Sequence, residues 1–222
     1  MSPLKREQLT VHTVALGPLE TNCYVLLTDG PTWVIDPGVG ASALLDLLEK
    51  LQTTPDRVVL THGHGDHIGG IPELRRQCGE IPIACPAGDA GMLTDAEANM
   101  SLMFGVSIDV GAPDETFEPG QVLDQGRLQW HVLDTSGHTP GGVSLYSPQA
   151  AVAITGDALF CRSVGRTDIP EASGERLLGN IRKHLLSLPG DTVILPGHGP
   201  SSTIGQEQQY NPFLGGGDRG DS

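Results

Sequence analysis

Apolar residues along this chain come in short runs that stop abruptly at glycine, proline or aspartate. Runs near 10–16, 22–28, 32–35, 57–60, 81–84, 128–133, 142–146, 151–155 and 192–195 read as strands, each about four to eight residues long. Helical spacing takes over in residues 41–51, where Leu44, Leu45, Leu47, Leu48 and Leu51 line one face behind Ser42, a capping candidate. A second helix is expected over Ile71 to Cys78. A third runs from Ser173 to Leu186, with Leu177, Leu178, Ile181, Leu185 and Leu186 at helical intervals, and a short fourth lies near Ile204 to Tyr210. The stretch from Ala87 to Glu118 keeps no period, mixing Met92, Met100, Met103 and Phe104 with Gly, Asp and Pro, and reads as a short helix and a long loop; its methionines read as packing, with the lining of a substrate mouth as the alternative. Strands interspersed with helices fit two sheets packed face to face with helices outside, an α+β (mixed α/β) four-layer αββα sandwich; the pattern alone also accommodates a three-layer α/β fold. One domain over residues 1–214 is expected, and the tail from Gly215 to Ser222, with nothing to bury, is expected to be mobile.

Composition narrows the function more than the fold. A chain of 222 residues that is 38% hydrophobic can bury a substantial core. Its net charge of −14 has the wrong sign for neutralising nucleic-acid phosphates, so no nucleic acid is expected as a partner, and a small-molecule substrate is. No segment is apolar enough for a signal peptide or a membrane span, which makes cytoplasmic the default location and a membrane no partner. Cys23, Cys78, Cys85 and Cys161 form no C-x-x-C pair and read as free thiols.

The chemistry lies at the ends of strands. Five times an apolar run enters a turn that carries candidate ligands: at Asp36-Pro37-Gly38, at Thr61-His62, at Gly137-His138, at Gly156-Asp157 and at Gly197-His198. Loops at strand carboxyl ends converge on a common crevice. The densest segment is His62-Gly63-His64-Gly65-Asp66-His67. In extended chain His62 and His64 project to one side and can reach one ion. The glycines allow the turn that would bring Asp66 and His67 to a second ion beside it. Imidazole with carboxylate suits zinc, iron or manganese. No G-x-S-x-G elbow is present, and Cys161 has no evident base, which disfavours a serine or cysteine nucleophile. His12, His131 and His184 lack such company and read as structural or solvent-facing.

The segment Thr61 to Gly70, followed in order by His138, Asp157 and His198, resembles the metallo-β-lactamase superfamily. The likeness runs from Asn22-Cys23-Tyr24 to Asn211-Pro212-Phe213-Leu214, and within the superfamily it is greatest to the short relatives of glyoxalase II, the hydroxyacylglutathione hydrolases. The resemblance implies an αββα sandwich with two divalent ions, zinc first and iron or manganese as alternatives. It places His62, His64 and His138 on one ion, Asp66, His67 and His198 on the other, and Asp157 between them. Asp66 would also serve catalysis, Asp36 would order the site from behind the ligands, and Arg166 would lie near a bound glutathione. The implied reaction is hydrolysis of a small thioester such as S-lactoylglutathione. Persulfide dioxygenases, with one iron on the equivalents of His62, His138 and Asp157, resemble the chain too; lactone, ester or β-lactam hydrolysis would use the same machinery. Full-length glyoxalase II has a further C-terminal helical region that contacts glutathione, whereas 24 residues follow His198 here.

Overall fold

The computed structural model describes residues 3–6 and 8–215; residues 216–222, in which a mobile tail is expected, lie outside the described part. The first half of the chain forms β1 (Leu4–Arg6), β2 (Leu9–Leu16), β3 (Thr21–Leu27), β4 (Trp33–Ile35), α1 (Ser42–Leu51), β5 (Arg57–Val59), α2 (Gly65–Ile68), α3 (Ile71–Cys78), β6 (Ile83–Pro86) and β7 (Glu115–Phe117). The second half forms β8 (Val122–Gln125), β9 (Leu128–Asp134), β10 (Val143–Ser147), β11 (Val152–Gly156), β12 (Leu159–Phe160), β13 (Ser163–Val164), α4 (Gly174–Asn180), β14 (Val193–Pro196), β15 (Ser202–Thr203) and α5 (Ile204–Tyr210).

Strands β1 to β7 make one seven-stranded sheet in sequence order, and a six-stranded sheet has the order β15-β14-β11-β10-β9-β8. Alternation along the strands decides what each face meets. On β3, Tyr24 and Leu26 point between the sheets, where they pack with Trp130, Val132 and Leu145 of the second sheet. Cys23 and Val25, one residue out of phase, face Leu44 and Leu48 of α1 and Leu74 of α3. On β11 and β14, Ala153 and Ile194 face Leu177, Ile181 and Leu185. The result is the four-layer αββα sandwich, and the three-layer alternative is excluded. Trp130 anchors the central layer with its Nε1–H donating to Gln125 Oε1 at 3.0 Å. A ring of that size buries ~150–250 Å² and contributes about 4–6 kcal/mol at ~25 cal/mol per Å².

Local differences from the sequence reading have local causes. Ala41, not Ser42, occupies the cap position of α1, and Ser42 is already helical. The third helix ends as a π-helical turn over Ile181–Leu185. The aperiodic stretch contains two 3-10 segments, Ala87–Thr94 and Ser101–Phe104, and then β7, in place of one helix and a loop. The four cysteines are free. Among the described residues no helix is long and apolar enough to cross a membrane.

Strand direction positions the site. β4, β5 and β6 pair in parallel, as do β11 and β14, so their carboxyl ends share a rim. Two backbone bonds lock the sheets together there: Asn22 N–H donates to Gly197 O at 2.7 Å and Val143 N–H to Thr61 O at 3.0 Å.

Candidate metal centre

Every ligand candidate read from the sequence arrives at this rim. His62 and His64 follow β5, α2 carries Asp66 and His67, His138 lies between β9 and β10, Asp157 directly follows β11, and His198 follows β14. The rings of His62 and His64 are 4.9 Å apart, His64 and His138 4.7 Å, and His67 and His198 5.3 Å. Two sets of donor atoms, from His62, His64 and His138 and from Asp66, His67 and His198, each lie within 4.8 Å of one another. Asp157 stands between the sets: Oδ1 is 3.3 Å from His67 Nε2, and Oδ2 is 3.6 Å from His138 Nε2 and 3.5 Å from His198 Nε2. His12, His131 and His184 belong to neither set.

The groups behind the ring fix which nitrogen faces inward. The Thr61 hydroxyl donates its one proton to Asp36 Oδ2 at 2.6 Å, so in its 3.0 Å contact with His62 Nδ1 it accepts. His67 Nδ1 donates to the same Asp36 oxygen at 3.1 Å, His138 Nδ1 to Arg166 O at 2.8 Å, and His198 Nδ1 to Leu19 O at 3.0 Å. A neutral imidazole protonated at Nδ1 carries its lone pair on Nε2, and here all four Nε2 atoms turn inward. Asp36 also accepts from Thr61 N–H at 2.8 Å, which leaves its carboxylate committed to Thr61 and His67. Its backbone sits in the left-handed region at φ 50°, a conformation tolerated by aspartate and maintained here by those bonds.

Backbone clearance matters at Gly197. A Cβ there would collide with Asp157 Oδ1 and stand 2.7 Å from His67 Cε1. The loop after β14 is further held by Asn22, whose Nδ2 donates to Pro196 O at 2.9 Å and Gly199 O at 2.8 Å, and by the Tyr24 hydroxyl, which donates to Pro196 O at 2.6 Å. These bonds explain the Asn22-Cys23-Tyr24 segment. Asp89 was not singled out by the sequence. Fully buried, it accepts from Gly63 N–H at 3.0 Å, Thr139 Oγ1 at 2.7 Å and Gly141 N–H at 2.6 Å, joining the His62–His64 turn to the His138 loop. A lone aspartate in the small-residue run Ala87 to Gly91 gives no periodic or motif signal.

Burial and charge divide the imidazoles. Burial, then His67, pushes His62 well below the usual imidazole range, and burial, then His138, lowers His64 to about 3. Burial also opposes a proton on His67, yet Asp66 and Asp157 raise it well above that range. His198 rises to about 10 against burial, through its hydrogen bonds to Asp157 and Asp66. Against burial, His67 and His198 hold Asp66 at about 2, and His67 leads the groups that hold Asp157 well below the carboxylate norm. His62 Nε2, His67 Nε2, His138 Nε2 and Asp157 Oδ1 are buried without a hydrogen-bond partner. At about 1–3 kcal/mol each, four such atoms cost a sum comparable to a domain's whole stability of about 5–15 kcal/mol. Cations satisfy all four at once, so the donor set fits divalent metal ions.

A cavity of about 350 Å³ opens over the cluster, lined by His64, Asp66, His138, Asp157 and His198 and by Leu19, Met100, Phe104, Phe160, Val164 and Ile169. Met100 and Phe104 are thus cavity wall, for Met100 the alternative to packing, and Met103 stands exposed, which corrects its reading as packing; Met92 is buried as packing. Arg166 also lines the cavity, its guanidinium paired with Asp168 at 2.8 Å and both side chains exposed.

An αββα sandwich with histidine and carboxylate groups gathered at one rim defines a metallo-hydrolase. The chain belongs to the metallo-beta-lactamase superfamily, whose sequence profile matches residues 16–198. It is 34% identical over 209 residues to the hydroxyacylglutathione hydrolase GloC of Haemophilus influenzae, an alignment covering 93% of this chain and 98% of that one. Among solved structures it is similar to the B3 metallo-beta-lactamase BLEG-1, with a TM-score of 0.87 and 38% identity over 92% of this chain and 99% of that one. The di-iron-bound form of TTHA1623 matches with a TM-score of 0.81 and 35% identity over 91% and 100% of the two chains.

Asp36→Ala is expected to weaken ion binding about 10–100-fold, the usual effect of removing a group that orients ligating histidines. Competitive chelator titration measures it. Unchanged affinity would show that Thr61 and His67 hold their positions without Asp36.

Proposed function

We propose that this chain, as one domain over residues 1–214, hydrolyses a small thioester with two divalent ions, with glutathione thioesters such as S-lactoylglutathione the first candidates. One observation carries the proposal: two three-residue donor sets lie side by side with Asp157 between them. In this reading His62, His64 and His138 hold one ion, Asp66, His67 and His198 the other, and Asp157 bridges. When bound, the ions supply Lewis acidity at the substrate carbonyl and acidify water toward neutral pH. Zinc suits this donor set, as do iron and manganese, and the di-iron form of the TTHA1623 relative lends weight to two iron ions.

The chain's own groups do the rest. Asp66 uses Oδ2 toward Thr21 Oγ1, at 3.0 Å, and toward His198 Nε2, at 3.2 Å. Its Oδ1 is assigned to orient the attacking water by accepting a hydrogen bond from it. The Nδ1 partners of His62, His67, His138 and His198 keep the imidazoles in the ligating tautomer throughout. Arg166, which lines the cavity, is assigned to meet a carboxylate on the thiol half of the substrate in exchange for Asp168.

The likeness to GloC supports thioester cleavage. The likeness to BLEG-1 supports a second reading, β-lactam hydrolysis by the same groups. A one-iron dioxygenase would use His62, His138 and Asp157 and leave Asp66, His67 and His198 without a task, so their convergence favours hydrolysis. The test is metal analysis of the purified protein with turnover of S-lactoylglutathione, of an acyl thioester of a small thiol, and of a cephalosporin. Two ions per chain and thioester kcat/KM above about 10⁴ M⁻¹s⁻¹, in the range of ordinary enzymes, are expected. Oxygen consumption by protein holding a single iron would overturn the proposal, and a β-lactam turned over faster than both thioesters would replace it with the second reading.

A further inference from the structure

The exposed large apolar side chains are not scattered evenly. Leu19, Leu102, Met103, Phe104 and Val106 all stand exposed. Three of them, Leu19, Phe104 and Val106, wall a groove of about 110 Å³ together with Leu16, Val39 and Ile108. Asp66 is the one charged residue in its lining. Leu19, Asp66 and Phe104 line both this groove and the cavity over the metal centre, so the two are continuous at the residue assigned to the attacking water.

The groove is built into the fold. Buried Asn99 donates through Nδ2 to Met92 O at 3.0 Å and to Ile108 O at 2.9 Å, and its Oδ1 accepts from Ser101 N–H at 3.0 Å. Ser101 Oγ in turn accepts from Ile108 N–H at 3.0 Å. The segment between bends outward at Met100, φ 63°, and Gly105, φ 73°. Its base is therefore pinned while Phe104 and Val106 form the wall. Polarity is divided too, since Arg166 lines the cavity over the metal centre and not the groove.

We propose, resting on the hydrolase reading, that the groove takes the acyl half of the substrate and extends it beyond the lactoyl group to hydrocarbon chains, which it holds more tightly as they lengthen. The polar side chains of the groove are Asp66 and Thr21, already bonded to each other, whereas each methylene it covers leaves water. The thiol half leaves on the Arg166 side. In the step itself water adds its oxygen to the acyl carbon, the C–S bond breaks with its electron pair going to sulfur, one of water's two protons ends on that sulfur to give the thiol, and the other is released to solvent, leaving the carboxylate. A protein or membrane partner is the other occupant that exposed apolar residues could serve. The concave shape and the shared Asp66 favour a substrate chain.

The experiment uses metal-loaded protein and one small thiol esterified with acyl groups from acetyl to octanoyl. From acetyl to octanoyl, kcat/KM is expected to rise at least about tenfold, ~1.4 kcal/mol, mostly through KM. Within Val106→Asp the octanoyl-to-acetyl ratio should fall toward one, and Val106→Trp, which narrows the same groove without adding charge, should move the preferred chain length downward. Calorimetric titration with octanoate, referenced to acetate, gives a reading independent of turnover: octanoate should bind at least about tenfold more tightly, and Val106→Asp should abolish the difference. A flat chain-length profile with equal octanoate and acetate binding overturns the groove assignment while thioester turnover leaves the hydrolase reading standing. If no thioester is cleaved, the hydrolase reading fails and octanoate binding alone decides the groove.

Discussion

Asp157→Ala is expected to lower thioester kcat/KM at least about thousandfold, ~4 kcal/mol of transition-state stabilisation, and to reduce bound metal below two ions per chain. The size of the effect follows from position. Asp157 faces His67 through Oδ1 and His138 and His198 through Oδ2, so one truncation withdraws a donor from both sets. It also takes away the negative charge that faces three imidazoles, and two cations held mainly by neutral nitrogens repel each other. Asp157→Asn separates shape from charge: it retains the volume against Gly197 and should still lose most of the activity. Steady-state kinetics with metal analysis on the same preparations reads both consequences, and full turnover by the alanine variant would remove Asp157 from the bridging role.

Chelation is expected to lower the thermal midpoint by about 8–16 °C for each tightly bound ion removed. An ion present at about a thousandfold its dissociation constant contributes ~4 kcal/mol to the folded state, and a chain of this size shifts about 2–4 °C per kcal/mol. The sign is fixed by the ligands' arrangement, because the donors follow four separate strands and an unfolded chain cannot gather them. Calorimetry with and without chelator, followed by return of zinc, iron or manganese, reports the loss and ranks the ions. A midpoint indifferent to chelator and to added metal would contradict the assignment of His62, His67, His138 and Asp157 as inward-facing ligands.

The nine apolar runs all became strands, whereas six further strands carry no such run: the two-residue pair β12 and β13, and four at sheet edges. β1, β7, β8 and β15 are the outer strands of the two large sheets. An edge strand pairs on one side only and is kept short and polar, so Leu4-Lys5-Arg6 or Ser202-Thr203 carries no apolar run to find. The candidate ligands were legible for a related reason: histidines and aspartates placed just after apolar runs announce a strand-end site whatever the order of the strands. Asp89 and Asn22 differ in kind. Their work is done on backbone groups far away in sequence, 174 residues away for the Asn22 to Pro196 bond, and no local pattern encodes such a partner.

Sequence by itself determined the donor types, the two-residue spacing that sets His62 beside His64, and the alternation that gives β3 and β11 two buried faces. Those depend only on side-chain chemistry and on the period of an extended chain. Tertiary structure alone decided that Asp36 is spent on Thr61 and His67, that each anchored imidazole presents Nε2, and that Met100 and Phe104 wall a cavity in place of packing a loop. Each of these is a matter of which distant group occupies the adjoining space, and packing settles that only once both sheets have closed on each other.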